Sequence, residues 1–377
     1  MKILILTCKT GQGHNSSASA IKEAFEKQGV ECDVKDAFAF VSKLGSKMLD
    51  KCFTTVYRNM PGVWNSMYSK ADKKPGIVKL SYSMGRKVLP GSWRLRRYIE
   101  KNGYTHVICV HILPAVMLSE MKIKRPLGVT TSFLHTDYTY YPFTEKTDMD
   151  AYFIPHEGLS KLFLSQGVTE DKLIATGIPV RKAFLDFKAD KASARAALGL
   201  PTDAKVALVM GGSMGCGPIE ELVRGIVENF EGDIRLLVSC GTNDKLLNSL
   251  KRLDDERIMP FSYSDNIPKI MSAVDIFVTK PGGISITEAG VMGLPMLLIN
   301  MVGGCETPNY EFFVSRGFAF GAANVKDAAQ MCCDLLSDPE RLNKQSTFLR
   351  SEFYRSSAEE IAFAVHNIIE SRTLQNV

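Results

Sequence analysis

The feature that most constrains this chain is a strand–turn–helix pattern between Val274 and Asn309. Its first apolar run, 274–278, is too short for a helix and soon meets Lys280-Pro281-Gly282-Gly283. We therefore predict a buried strand that ends in a turn. A helical segment starts after the glycines, and a second buried strand is predicted over 295–299. A strand, a glycine turn and a helix N-terminus form an anion site, because unpaired N–H groups and the positive end of the helix dipole converge there.

The residues of this turn suit a phosphate. Gly282 and Gly283 let a phosphate approach the backbone without a Cβ in the way. Ser285 and Thr287 add hydroxyls at the same end. A carboxylate would repel a phosphate, so Glu288 is interpreted as reaching past it to neutral hydroxyls, as an acidic residue does for a ribose in dinucleotide folds. The alternative is that Glu288 only interacts favourably with the helix dipole, and the spacing leaves both open.

Two further glycine turns follow predicted strands. The apolar strand 2–8 leads into Gly11-Gln12-Gly13-His14, and the strand 206–210 leads into Gly211-Gly212-Ser213. A G-x-G-x-x-G dinucleotide fingerprint would need glycine where the chain has Ser16, so a dehydrogenase is the least favoured class. Strands and helices alternate through both halves, with a linker near 177–190. This pattern predicts two Rossmann-like domains that face a cleft.

His14 is a candidate catalytic base. It lies just past two glycines at a predicted helix N-terminus, where the helix dipole lowers the pKa of the imidazole and favours its neutral form. A neutral imidazole at the edge of a sheet can accept a proton from an alcohol. The alternative is that His14 only hydrogen-bonds a neighbouring loop. Thr136 and Asp137 follow the predicted strand 127–134, at the end where open α/β sheets place their ligands.

Size and composition are those of an ordinary globular protein. At 377 residues the chain is long enough for two domains, and 45% of its residues are hydrophobic. No apolar run approaches the ~20 residues that would span a bilayer, and the N-terminus lacks the features of a signal peptide. The nine cysteines form no C-x-x-C pair and are odd in number. We therefore expect a reduced, cytoplasmic setting without a structural zinc.

The net charge of +5 is unevenly distributed along the chain. Between Lys70 and Lys101 ten basic residues stand against Asp72 and Glu100, interleaved with Trp93, Tyr82 and Tyr98, and Tyr68 lies just before the segment. Such a segment suits anionic lipid headgroups, to which each basic residue near the surface contributes about 1 kcal/mol. It could equally meet nucleic acid, or it could be a solvated helix face. The charge pattern alone leaves these interpretations open.

A series of motifs in chain order resembles one glycosyltransferase group. The motifs are Gly11-Gln12-Gly13-His14, Thr136-Asp137, Thr176-Gly177-Ile178-Pro179-Val180, Gly211-Gly212-Ser213, Lys280-Pro281-Gly282-Gly283-x-Ser285-x-Thr287-Glu288-Ala289 and Glu306-x-x-Asn309. The series is similar to that of the monogalactosyldiacylglycerol synthase and processive diacylglycerol glucosyltransferase family, which is glycosyltransferase family 28-like. The resemblance covers nearly the whole chain. It implies an inverting enzyme of the α/β GT-B architecture, with two Rossmann-like domains facing an interdomain cleft.

The resemblance also implies a division of labour. An N-terminal Rossmann-like domain, 1–178, would bind the acceptor and the membrane, and a C-terminal one, 179–355, would bind the UDP-sugar. A C-terminal helix at about 356–372 would pack back on the first domain. His14 would be the catalytic base, with Asp137 as the second choice or as a partner that orients the site.

The implied binding residues form two sets. The UDP-sugar would contact Gly13, Gly211, Gly212, Ser213, Phe261, Ser262, Gly282, Gly283, Ser285, Thr287, Glu288, Glu306 and Asn309. Within this set the glycine turns would bind the diphosphate, Glu288 the ribose, and the loop at 261–262 the uracil, while Glu306 and Asn309 would face the sugar hydroxyls. The membrane would meet Lys73, Lys74, Arg86, Lys87, Trp93, Arg94, Arg96 and Arg97.

By this resemblance, a hexose (glucose or galactose) would pass from a UDP-sugar to the 3-hydroxyl of diacylglycerol or a glycosyl-diacylglycerol. The enzyme would be cytoplasmic and peripherally associated with the inner face of the cell membrane. The resemblance implies no nucleic-acid partner, no metal and no cofactor besides the donor substrate. A UDP-sugar epimerase or hydrolase, another GT-B enzyme without a lipid acceptor, and an inactive nucleotide-sugar-binding protein are the alternatives. Relatives commonly have glutamine where this chain has Cys305, and a thiol cannot replace the amide at a sugar hydroxyl, so the identity of the hexose stays open.

Overall fold

The computed structural model describes residues 1–8, 12–41, 92–187, 190–300, 306–353 and 355–375. The chain divides into two compact units. The first unit comprises Met1–Arg181 and Ser356–Val377, and the second comprises Lys182–Arg355. Within the described residues each unit is built on one six-stranded sheet in which every paired strand is parallel.

The sheet of the first unit has the strand order β2-β1-β3-β4-β5-β6. The strands are β1 (Lys2–Thr7), β2 (Glu31–Asp36), β3 (His106–Cys109), β4 (Thr130–Leu134), β5 (Ala151–Ile154) and β6 (Leu173–Ala175). In the described part of the chain before residue 181, its α-helices are α1 (Gln12–Lys27), α2 (Phe38–Val41), α3 (Ser92–Lys101), α4 (Ile112–Lys124) and α5 (Ser160–Ser165). Strand β1 is a continuous apolar run, buried from its second residue onward, because helices cover both faces of a parallel sheet.

The sheet of the second unit has the strand order β12-β11-β10-β7-β8-β9. The strands are β7 (Lys205–Met210), β8 (Ile234–Ser239), β9 (Ile258–Phe261), β10 (Ile276–Thr279), β11 (Met296–Ile299) and β12 (Phe320–Ala322). The helices are α6 (Lys182–Leu185), α7 (Lys191–Ala196), α8 (Ile219–Asn229), α9 (Asp244–Lys251), α10 (Ile267–Ala273), α11 (Gly283–Met292), α12 (Glu306–Ser315), α13 (Val325–Leu336) and α14 (Pro339–Glu352). Helix α8 packs on the sheet through apolar residues at helical spacing, which bury one face.

The last helix, α15 (Ser357–Gln375), belongs to the first unit although it follows the second in the chain. Its apolar residues Ile361, Ala362 and Val365 are fully buried in the cluster that also contains Ile21 and Phe25 of α1. Three- and four-residue spacing places such side chains on one face of a helix. Burial of this face against α1 therefore holds the C-terminal segment on the first unit.

Each sheet has one strand-order reversal, which is the position on either side of which successive strands of the chain are added in opposite directions. In the first sheet this point lies between β1 and β3, and in the second it lies between β7 and β10. In open α/β sheets the loops at the carboxyl ends of the two strands diverge there and leave a ligand site. The topology therefore places one candidate site in each unit. None of the helices in the described ranges is long and apolar enough to cross a bilayer.

Burial holds four histidines of the first unit in the neutral form. It lowers the pKa of His14 to about 4 and the pKa values of His106, His111 and His135 to about 3. An unfolded histidine has a pKa near 6.5. Below about pH 6.5 these histidines bind protons in the unfolded chain, whereas in the folded chain they stay unprotonated. The stabilising contribution is therefore complete above pH 6.5 and is lost as the pH falls toward 4 and 3.

We expect acidification from pH 7.5 to pH 5 to destabilise the first unit more than the second, whose sequence has no histidine. A fully buried histidine such as His106 should account for about 2 kcal/mol of this loss, from about 1.4 kcal/mol for each pH unit below 6.5. Pulse-labelling hydrogen exchange across a urea series reports the two units separately. In His106→Gln, which cannot gain this proton, the loss should be smaller by that amount. Equal shifts in the two units would contradict the prediction.

Candidate active site

Two histidines meet at the strand-order reversal of the first sheet. His14 lies in the first turn of α1, after β1, and His111 caps the N-terminus of α4, after β3. Their rings are 5.1 Å apart between centroids and nearly perpendicular. The Nδ1 atom of His111 accepts a hydrogen bond of 3.1 Å from the Leu113 N–H, which places the proton of the neutral ring on Nε2. His111 was not among the predicted site residues, although its position after a predicted strand was a usable signal.

The side chain of His14 is linked to the residues that follow β4. Its Nδ1 atom lies 3.1 Å from Thr136 Oγ1, and Thr136 Oγ1 lies 3.2 Å from the Tyr141 hydroxyl oxygen. The Tyr141 hydroxyl donates a 2.6 Å hydrogen bond to Asp137 Oδ2. The structure thus brings the two predicted catalytic residues, His14 and Asp137, to one edge of the sheet. Tyr141 was missed because only the folded loop returns it to Asp137.

A third buried histidine supports this loop. His135 is fully buried, and its ring stacks on that of Tyr141 at 4.9 Å between centroids and 17° between planes. Phe133 and Phe163 pack against the same imidazole at 4.4 and 4.6 Å. Neither ring nitrogen of His135 has a hydrogen-bond partner among the described residues. Burial alone lowers the pKa of His135 to about 3, so it packs as a neutral aromatic ring beneath Tyr141.

In the second unit, three loops at the carboxyl ends of β7, β8 and β9 are joined by hydrogen bonds. The Thr242 N–H donates to the Ser213 carbonyl at 3.0 Å, and the Tyr263 N–H donates to the Gly241 carbonyl at 3.0 Å. The Asn243 side-chain amide donates to the Gly215 carbonyl at 2.9 Å. These bonds place the predicted phosphate turn at 211–213 on the same edge as the predicted uracil loop at 261–262.

The turn after β10 lies on this edge as well, because β10 pairs with β7. Gly282 is the N-cap of α11, and Gly283 is the first residue of that helix. Lys280 lies between this turn and the one after β7, since a Cβ added at Gly212 would come within 2.7 Å of Lys280 Cε. Its ammonium group forms a buried ion pair with Glu306. Lys280 belongs to one of the predicted motifs but had no predicted role, whereas Glu306 was predicted to face the sugar hydroxyls.

Several predicted donor-site side chains make contacts within their own turn or helix. The Thr287 hydroxyl donates to the Gly283 carbonyl at 2.6 Å, one helical turn back. The Asn309 amide is fully buried and donates to the Pro281 carbonyl at 2.9 Å. Glu288 is 8% exposed on α11, whereas Ser285 is more accessible. These bonds hold the glycine turn in shape, and contacts of these residues with a UDP-sugar stay predictions.

The predicted membrane-docking residues divide into two groups. Lys73, Lys74, Arg86 and Lys87 lie outside the described residues. Trp93, Arg94 and Arg97 are exposed on α3, and the exposed fraction of Trp93 is 59%. The guanidinium of Arg94 lies 5.4 Å from the centre of the Trp93 ring, a distance typical of a cation–π contact.

Arg96 corrects the predicted set. Its side chain is mostly buried, and its guanidinium donates to the carbonyls of Met121 and Arg125 at 2.7 Å and of Pro126 at 3.1 Å. These carbonyls lie at the C-terminal end of α4, where the helix dipole favours a positive charge. Arg96 therefore joins α3 to α4 and is not available to lipid headgroups.

Comparisons with known proteins agree with this architecture. The family model described as monogalactosyldiacylglycerol (MGDG) synthase matches residues 14–180, and the glycosyltransferase family 28 C-terminal domain matches residues 206–306. The structure of MurG from Acinetobacter baumannii aligns with a TM-score of 0.64 at 12% identity, over 97% of this chain and 99% of that one. The structure of a putative UDP-N-acetylglucosamine 2-epimerase from Listeria monocytogenes aligns with a TM-score of 0.56 at 13% identity, over 92% and 90%.

The two parallel sheets and these matches define a glycosyltransferase of the GT-B fold class, which confirms the predicted fold class. A processive diacylglycerol beta-glucosyltransferase of Bacillus cereus (strain B4264) is 25% identical over 376 residues, covering 97% of this chain and 93% of the relative. These matches confirm the resemblance that the motif series predicted, to the monogalactosyldiacylglycerol synthase and processive diacylglycerol glucosyltransferase family.

Among the described residues, no group of three or more histidine, cysteine or acidic side chains could hold a metal ion. The absence of a metal and of a cofactor stays a prediction. The same holds for the roles of the individual site residues.

Substitution of Gly215 tests how closely the loops of the second unit approach one another. Gly215 has φ +58°, and an added Cβ would collide with the Cys240 carbonyl oxygen. Gly199 has a similar φ of +67° but nothing within 4 Å of an added Cβ. Gly199→Ala should therefore cost only the conformational strain of about 1 kcal/mol, and Gly215→Ala should cost roughly 3 kcal/mol or more. Urea unfolding of both variants measures the difference, and equal losses would show that the two loops can separate at little cost.

Proposed function

We propose that this protein transfers a hexose from a UDP-sugar to the 3-hydroxyl of diacylglycerol, or of a glycosyl-diacylglycerol, with inversion at the anomeric carbon. The observation that carries the proposal is the neutral, hydrogen-bonded His14 at the strand-order reversal of the first sheet. The name of the B. cereus relative supports diacylglycerol as the acceptor, because the similarity extends over nearly the full chain. Glucose and galactose are both retained as candidate sugars.

The chemistry requires a base for the acceptor hydroxyl. In a single displacement, the hydroxyl oxygen forms a bond to the anomeric carbon while the bond from that carbon to the diphosphate oxygen breaks. The hydroxyl proton passes to His14, and UDP leaves with the bonding electrons. The low pKa of His14 keeps its imidazole unprotonated at neutral pH, which is the state that a base needs.

The second unit provides groups for the leaving diphosphate. The N-terminus of α11 at Gly282 and Gly283 and the turn at 211–213 offer backbone N–H groups that stabilise developing negative charge. Lys280, between the two turns, adds an ammonium group as a donor at the same place, with its charge balanced by the Glu306 carboxylate. In this proposal Ser285 also binds the diphosphate and Glu288 binds the ribose. Fixed donors of this kind supply the stabilisation that a metal supplies elsewhere.

A second candidate function is a UDP-sugar epimerase or hydrolase. The fold likeness to the L. monocytogenes structure favours it, but a likeness at 13% identity indicates the fold alone. The two functions differ in their need for a lipid. A transferase yields glycolipid and UDP together, whereas an epimerase or hydrolase acts on the donor without any lipid.

The direct test is product formation from UDP-glucose or UDP-galactose with vesicles that contain diacylglycerol. We expect glycolipid by mass spectrometry. His14→Ala should lower kcat on the order of 10²- to 10⁴-fold, because it removes the base and leaves donor binding intact. His366→Ala is the control, since His366 contacts Gln28 on the surface of the same unit, away from the strand ends. Failure to form glycolipid with any UDP-sugar and lipid would reject the proposal, and donor turnover without lipid would favour the second candidate.

Membrane association at the inner face of the cell membrane is part of the same proposal. Trp93, Arg94 and Arg97 project from α3 and would meet anionic headgroups. Arg94→Glu with Arg97→Glu should weaken sedimentation with phosphatidylglycerol vesicles by roughly 30-fold or more, from about 1 kcal/mol for each lost basic residue. The matched control is Lys245→Glu with Lys326→Glu, which makes the same change in net charge at exposed positions of α9 and α13 in the second unit. If both double variants bind vesicles alike, α3 is not the docking surface.

A further inference from the structure

We propose that Thr136 and Tyr141 are positioning residues that join His14 to Asp137 and hold the proton of the neutral His14 ring on Nδ1. This leaves Nε2 to take the proton of the acceptor hydroxyl. The inference rests on the proposed function, in which His14 is the base. It adds two residues to that site and gives Asp137 a definite part at the far end of the hydrogen-bonded chain.

The direction of each hydrogen bond follows from counting protons. The Tyr141 hydroxyl has one proton, which it donates to Asp137 Oδ2 at 2.6 Å. In its 3.2 Å contact with Thr136 the tyrosine oxygen must then accept, so the Thr136 hydroxyl donates there. Because the Thr136 hydroxyl donates its only proton to Tyr141, its oxygen accepts a hydrogen bond from His14 Nδ1 at 3.1 Å. A carboxylate at one end thus favours a proton on Nδ1 at the other end, where the Val110 carbonyl is a second acceptor for the His14 ring.

Packing restricts the alternatives to this arrangement. Thr136 is 3% exposed, and its β-branched side chain has few accessible rotamers. The ring of Tyr141 stacks on His135, which is itself enclosed by Phe133 and Phe163. The stack fixes the plane of the tyrosine ring and therefore the position of its hydroxyl. Buried hydrogen-bonded chains of this kind are stronger than isolated bonds, because low local dielectric lets each bond polarise the next.

The chain stabilises the state that forms during the reaction. When Nε2 gains the acceptor proton, His14 carries a positive charge and continues to donate from Nδ1 toward the Asp137 carboxylate. No proton has to travel along the chain. His111, which faces His14 from α4, is neutral and adds no opposing charge. The Val110 carbonyl also favours the protonated His14 ring.

The tautomer can be measured on the free protein, without substrate, by ¹⁵N NMR of a histidine-labelled sample. His14→Gln identifies the His14 signals. We expect Nδ1 protonated and Nε2 unprotonated in the wild type. In Tyr141→Phe the Thr136 hydroxyl loses its acceptor and can donate to Nδ1, so the proton should move to Nε2. Tyr140→Phe is the matched control, because that hydroxyl contacts Glu145 instead, and it should leave the tautomer unchanged.

Kinetics supply the second readout. Tyr141→Phe and Thr136→Val should each lower kcat on the order of 10- to 100-fold with little change in the KM for the UDP-sugar. Thr136→Ser, which keeps the hydroxyl, should recover most of the wild-type rate. An Nε2-protonated His14 in the wild type, or an unchanged tautomer in both Tyr141→Phe and Thr136→Val, would overturn the inference. Absence of glycolipid from the wild type would instead reject the proposed function, while the NMR result would still decide whether the chain sets the tautomer.

Discussion

In the second unit, the proposed UDP-sugar site depends on the close approach of backbone loops at the carboxyl edge of the sheet. Gly215 packs on the Cys240 carbonyl, and Gly241 packs on the Ser213 carbonyl, at distances that exclude a Cβ. Side chains at these points would separate the loops after β7 and β8. The consequence is an edge formed by main-chain atoms, whose positions are set by the sheet rather than by rotamers. Fixed donors of this kind stabilise developing charge without reorganisation.

In the first unit the main physical effect is different: histidine rings are buried away from water. His14, His111 and His135 are all held neutral by burial, although only His14 is placed to act as a base. The cost appears at low pH, where the unfolded chain gains protons that the folded chain excludes. The gain is a neutral imidazole whose hydrogen-bond partners are rigid. Burial of these histidines therefore lowers the stability of the first unit at acid pH, while it keeps His14 unprotonated and able to accept a proton.

The fold class and the turns could be predicted from sequence because both are local patterns. The strand before Lys280 and the helix after Gly282 follow from an apolar run, two glycines and a helical segment in consecutive order. The contacts of long side chains could not be predicted. Arg96 belongs to a basic segment in sequence, yet its guanidinium binds carbonyls some 25 to 30 residues away. The link from His14 to Thr136 spans 122 residues and exists only after the sheet has formed.

The distribution of residue types between the two units agrees with the proposed function. A base must be unprotonated before the reaction and gain a proton during it, and burial keeps the His14 imidazole unprotonated at neutral pH because it lowers its pKa to about 4. Stabilisation of a leaving diphosphate needs donors that keep their protons throughout, which backbone amides and a lysine provide. The second unit has glycine turns and Lys280 at its strand ends and no histidine anywhere in its sequence. Substitutions at the strand ends of the first unit should therefore alter proton transfer, whereas those of the second should alter the binding of charge.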